Sequence, residues 1–151
     1  MNKKETYRQL QKMLTALLEN EHDIIANLAN ASALLYEYLE DINWAGFYLY
    51  KNDELVLGPF QGKVACMHIA MGNGVCGTAA QQRRIMRIDN VHEFPTHIAC
   101  DSASNSEIVL PLIKKNTLIG VLDIDSVRFQ RFDELDESCL AEIAKIILKS
   151  I

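Results

Sequence analysis

At 151 residues the chain is the size of one compact domain with enough length for a proper core, and residues 1–151 are read as a single domain. Hydrophobic residues make up 49% and charged residues 23%, an ordinary balance for a soluble globular protein, and the net charge of −5 argues against nucleic acid or an anionic membrane surface as the main partner. The N-terminus is polar with no apolar h-region after it, and no apolar run approaches the ~20 residues that cross a bilayer, so a cytoplasmic protein is expected.

Residues 5–20 place Leu10, Met13, Leu14, Leu17 and Leu18 on one helical stripe, and residues 22–39 continue at helical spacing through Ile24, Leu28, Ala31 and Leu35. The pattern then switches. Residues 42–50 are aromatic and β-prone, Asn52-Asp53 makes a turn, and residues 54–59 form the return strand. Residues 64–71 read as a further strand ended by Gly72-Asn73-Gly74, and residues 75–82 as a helix. A short strand at 85–88 precedes a polar loop over 89–105. Residues 106–113 and 117–125 form a hairpin across Lys114-Lys115-Asn116, and an amphipathic helix over 133–148 has Asp133 as its N-cap. The fold class is α+β: a central antiparallel sheet flanked by N- and C-terminal helices, packed on one face.

Three of the four cysteines, Cys66, Cys76 and Cys100, lie in or beside segments rich in Gly, Asn, Ser or Asp, where loops present reactive groups. In a cytoplasmic protein such thiols point to redox or catalytic work rather than structural disulfides. Cys139, at i+4 from Leu135 and i−4 from Ile143, is expected to pack as a small hydrophobe. His68 and His97 stand near these cysteines, but no Cys-x-x-Cys or His-x3-His spacing accompanies them, so no metal site is expected. His22 and His92 read as surface residues.

Alternation on strand 117–125 puts Ile119, Val121, Asp123 and Asp125 on one side, with Leu118, Leu122 and Ile124 on the other. The hairpin register sets Glu107 opposite 123 to 125. Three carboxylates then crowd one end of the hairpin, and such a cluster calls for a cationic ligand, a metal or a shared proton. The plain alternative is a strand running out into solvent. On strand 42–50, Trp44, Gly46 and Tyr48 share a face, and Gly46 leaves a hollow between two rings. That is an aromatic wall for a small ligand with an apolar tip and a cationic end, or an ordinary piece of core.

Taken in order, Asn43-Trp44-Ala45-Gly46-Phe47-Tyr48, Leu57-Gly58-Pro59-Phe60-Gln61-Gly62, Gly72-Asn73-Gly74-Val75-Cys76-Gly77, Asp89-Asn90-Val91, His97-Ile98-Ala99-Cys100-Asp101, Ser104-Asn105-Ser106-Glu107 and Val121-Leu122-Asp123-Ile124-Asp125-Ser126 closely resemble the free methionine-(R)-sulfoxide reductases, single-domain GAF-type enzymes. The resemblance implies a GAF fold, a homodimer, and reduction of the R epimer of free methionine sulfoxide. It implies Cys100 as nucleophile, Cys66 and Cys76 as the positions of resolving thiols, and Glu107, Asp123 and Asp125 as acidic substrate-binding positions. Trp44 and Tyr48 match the aromatic wall. Glu107 is also expected to be the proton donor. No bound cofactor is expected, and thioredoxin is the expected external reductant. Two other readings stand beside this one: a GAF sensor module that binds a small ligand without turnover, and a thiol redox switch.

Overall fold

The computed structural model describes residues 1–97 and 103–151. Both early helices form where the three-and-four spacing predicts them, each begun by a polar cap. In α1 (Lys3–Leu18) the Asn2 side chain accepts from the Glu5 amide, and in α2 (Ile24–Tyr38) the Asp23 side chain accepts from that of Ala26. Strands β1 (Trp44–Lys51), β2 (Glu54–Gly62) and β3 (His68–Ala70) follow. The strand expected over 64–71 is only three residues long. Residues 63–67 instead run as a loop, pinned by side chains of β1 described below.

Helix α3 (Gly74–Gln82), β4 (Met86–Ile88), a 3-10 turn (Val91–Glu93), β5 (Ser106–Lys114), β6 (Thr117–Ser126) and α4 (Glu134–Lys149) complete the order. Asp133 caps α4 as expected, within a capping box that pairs it reciprocally with Asp136. The described strands form one antiparallel sheet of six, in the order β3-β2-β1-β6-β5-β4.

Helices cover both faces of this sheet, not one. On one face α2 packs on β1 and β2, α4 packs on β5, and α1 lies against both helices. Their apolar stripes bury Leu10, Leu14, Leu28 and Leu35 against Phe47, Leu110, Leu122 and Ile124. On the other face α3 sets Val75, Cys76, Ala79 and Ala80 against Tyr48, Val109 and Val121. The small residues of α3 let it sit close to the chain: a Cβ on Gly77 would come within 2.5 Å of the Ala70 carbonyl oxygen.

The β5–β6 hairpin turns through Lys115 and Asn116, both at positive φ (50° and 67°), the conformation of a tight hairpin turn. A register shift between Leu112 and Ile113 breaks the alternation near the turn. Leu118 therefore joins Val121 on the α3 face, and Ile119 packs against the terminal-helix core. The sequence alternation had placed these two the other way round, because it cannot see the extra residue of a bulge. Beyond the shift the pairing is regular: Glu107 opposes Asp125, Val109 opposes Asp123, and β1 brings Trp44 beside Asp125 and Gly46 beside Asp123.

Candidate functional site

Strict alternation in the middle of the sheet carries Trp44, Tyr48, Glu107, Val109, Val121, Asp123 and Asp125 to the face beneath α3. They meet α3 around a cavity of about 60 Å³, lined by Trp44, Tyr48, Cys76, Glu107, Asp123 and Asp125 together with residues of the surrounding loops. The expected carboxylate crowd and aromatic wall thus share one site. Asp125 is half-buried, whereas Glu107 and Asp123 are only 9% and 5% exposed.

The electrostatics follow from that burial. Burial, then the neighbouring Asp123 charge, pushes Glu107 well above the usual carboxylate range. Burial, then Asp125, does the same to Asp123. The Cys76 thiol, 3.8 Å from Glu107 Oε2 and donating to it, is pushed up by burial and then by the same acids. Asp123 Oδ1 is buried without a hydrogen-bond partner among the described residues. The cavity therefore holds acids whose burial and mutual repulsion favour the protonated form, and a carboxylate oxygen of Asp123 with no hydrogen-bond partner among the described residues.

The aromatic wall is built differently from expectation. Trp44 and Tyr48 stack at 6.0 Å between ring centroids, and Phe60 of β2 stacks on Trp44 at 5.2 Å. Gly46 leaves no hollow for a ligand. Its neighbour strand fills the space, and a Cβ there would lie 2.3 Å from Phe60 Cβ and 2.7 Å from its Cα. The polar ends of the two rings have partners too: Trp44 Nε1 donates to the Lys63 carbonyl (3.1 Å) and Tyr48 OH to that of Cys66 (2.9 Å).

Cys66 sits half-buried on the loop so held and is disulfide-bonded, whereas Cys76 and Cys139 are free thiols. Cys100 lies outside the described residues. Cys139 packs half-buried against the terminal-helix core, away from the cavity. His68 points elsewhere, exposed and 3.3 Å from Glu54. His97 does line the cavity, its pKa lowered by burial and then by His92, whose ring meets it edge-on at 5.9 Å. His22 and His92 are exposed, as expected.

Phe60, Ser104 and the start of α3 are site features that sequence reasoning missed. Asn73, Gly74 and Val75 line the cavity, so the positive end of the α3 dipole faces it. In the sequence Gly72-Asn73-Gly74 reads as the end of a strand, with the helix expected from residue 75, one residue after it begins. What the helix start opens onto depends on how α3 packs on the sheet, which these turn residues do not encode.

An antiparallel sheet with a cavity between one face and a short helix is the arrangement of a GAF domain, and the chain matches the GAF domain family over residues 26–148. It is 59% identical over 143 residues to the free methionine-R-sulfoxide reductase of Escherichia coli, covering 95% of this chain and 87% of that one. Among solved structures it is similar to the free methionine-R-sulfoxide reductase of Neisseria meningitidis in complex with its substrate. That match has a TM-score of 0.96 and 44% identity and covers 99% of this chain and 90% of that one. The fRMsr of Staphylococcus aureus in complex with substrate superposes with a TM-score of 0.92 at 52% identity, over 95% and 94% of the two chains. The chain belongs to the free methionine-R-sulfoxide reductase family.

Proposed function

We propose that residues 1–151 form one catalytic domain that reduces free methionine-(R)-sulfoxide to methionine, an oxidoreductase acting on a sulfur group with a disulfide as acceptor. The observation that carries this reading is the enclosed meeting of three acids, an aromatic wall and a helix N-terminus on one sheet face. A whole free amino acid matches that set. Its ammonium would go to Asp123 and Asp125, where Oδ1 of Asp123 awaits a donor, and its carboxylate to the start of α3. Its S-methyl end would lie against Trp44 and Tyr48.

In the proposed reaction the Cys100 thiolate attacks the sulfoxide sulfur while Glu107, kept protonated by burial and by Asp123, gives its proton to the sulfoxide oxygen. Methionine leaves, and the oxygen remains on Cys100 as a sulfenic acid. A second thiol condenses with it, releasing water and forming a disulfide. Cys66 is better suited to this step than Cys76: it is already disulfide-bonded, whereas Cys76 is free, buried and held protonated by its acidic neighbours. A thioredoxin-type dithiol then restores both thiols by exchange. No bound cofactor takes part. The working form is a homodimer in the cytoplasm.

The test is methionine release from the R epimer, with the S epimer as control and thioredoxin or dithiothreitol as reductant. R-selective turnover that disappears in Cys100→Ser is the expected result. Absence of turnover with either reductant overturns the reading and leaves a ligand-binding GAF module.

A further inference from the structure

Cys76 is the cavity thiol for which the proposed reaction has no use, and it does not stand alone. Its Sγ, a Glu107 carboxylate oxygen and an Asp123 carboxylate oxygen all lie within 4.8 Å of one another, with Sγ and Glu107 Oε2 at 3.8 Å. A tetrahedral Zn²⁺ with bonds of ~2.3 Å to sulfur and ~2.0 Å to oxygen holds its donors about 3.3–3.5 Å apart. The three residues come from α3, β5 and β6, so the scaffold around them is regular secondary structure. Within the cluster, Asp123 is 5% exposed, and its Oδ1 is buried in the cavity it lines with no hydrogen-bond partner among the described residues.

We propose that this cavity binds a thiophilic divalent cation of the Zn²⁺ class through Cys76 Sγ, Glu107 and Asp123, and that the cation and an amino-acid ligand exclude each other. One thiolate with two carboxylates selects Zn²⁺ or Cd²⁺ over Mg²⁺ and Ca²⁺, which prefer oxygen donors alone. The cation takes the place of the protons. The Cys76 thiol proton and the protons held by the carboxyl groups leave to solvent, so binding strengthens as pH rises. The site itself stands on geometry; the mutual exclusion rests on the reductase reading, because both occupants use Glu107 and Asp123. Free zinc would thereby hold the thiol-form enzyme idle.

The experiment uses the full chain carrying Cys66→Ser and Cys100→Ser, which leaves Cys76 and Cys139 as thiols. Titration with Cd²⁺ should develop a thiolate-to-metal charge-transfer band saturating at one equivalent. The band should persist when Cys139→Ser is added and vanish when Cys76→Ser is added. Loss of an outer-sphere partner alone costs about 10–100-fold in metal affinity, so Asp123→Asn, a ligand, should weaken the titration at least about tenfold. A band that survives Cys76→Ser, or no band at all, overturns the site. Calorimetry with methionine-R-sulfoxide, with and without one equivalent of Zn²⁺, tests the exclusion: binding without zinc and none with it is the expected result. Binding in both conditions overturns the exclusion. A Cd²⁺ band with no methionine-sulfoxide binding overturns the amino-acid reading while supporting the metal site, and the reverse pattern overturns the site alone.

Discussion

Glu107, the proton donor of the proposed reaction, owes its raised pKa to where it sits. Burial and the Asp123 charge raise its pKa well above the usual carboxylate range, which favours the neutral form. That arrangement has a stability consequence of definite sign. A folded-state pKa above the unfolded one means that the group contributes its stability below the ordinary value, ~4.3 for Glu, and loses it as pH rises through the raised value. Glu107→Gln keeps the shape and a hydrogen-bond donor and removes the transferable proton. It should lower kcat by about 10²–10⁴-fold. It should also raise the melting temperature at pH 7 to 8, with the gain shrinking toward pH 4. Thermal melts across that range check the second effect, and a variant no more stable than the parent at pH 8 contradicts it.

At the scale of elements, the close approach of β1 and β2 at Gly46 is the tightest packing constraint near the site. The added methyl of Gly46→Ala would meet Phe60 Cβ and Cα and the Pro59 carbonyl oxygen, two of them backbone atoms that cannot rotate away. A cost of about 1–3 kcal/mol is expected in urea unfolding, together with loss of the Trp44–Phe60 stacking. The same place marks where reading the sequence stops. The terminal helices, the hairpin over 106–125 and its acids were legible, because periodicity, caps and a turn pair encode them locally. Phe60 was not, since its partnership with Trp44 depends on a register shift between β1 and β2 that leaves no mark in either strand alone. The position of α3 on the opposite face was equally hidden. Its nine residues are mostly small, and their burial comes from the sheet rather than from an amphipathic stripe. The swap of Leu118 and Ile119 has the same origin as Phe60, a bulge in place of strict alternation.

Across the whole molecule, a buried polar knot ties the first helix to the last. Tyr7 OH donates to Asp136 Oδ1 at 2.7 Å, Arg131 Nη1 reaches the same carboxylate at 3.2 Å, and Lys3 pairs with its other oxygen at 2.8 Å. Burial and the Asp136 charge push the Tyr7 hydroxyl far up, so it serves as a donor throughout the accessible pH range. Tyr7→Phe removes one of several partners of a buried carboxylate and should cost about 1–3 kcal/mol in chemical unfolding. The knot belongs to the terminal-helix side, whereas the cavity lies beneath α3. Steady-state kinetics of this variant at 25 °C should therefore match the parent's, and altered kinetics would show that the two faces communicate.

The hydrogen bonds from Trp44 and Tyr48 to the 63–67 loop have an evolutionary consequence. The two rings that face the cavity also leash the segment carrying Cys66, Tyr48 through that residue's own carbonyl. A change at Tyr48 that admitted a bulkier guest would also cut the leash of the thiol that the proposed cycle uses to regenerate the enzyme. In the proposed reaction, substrate breadth and recycling are thus bound to the same hydroxyl. A lineage can drift toward a new guest only by first finding another way to hold the loop.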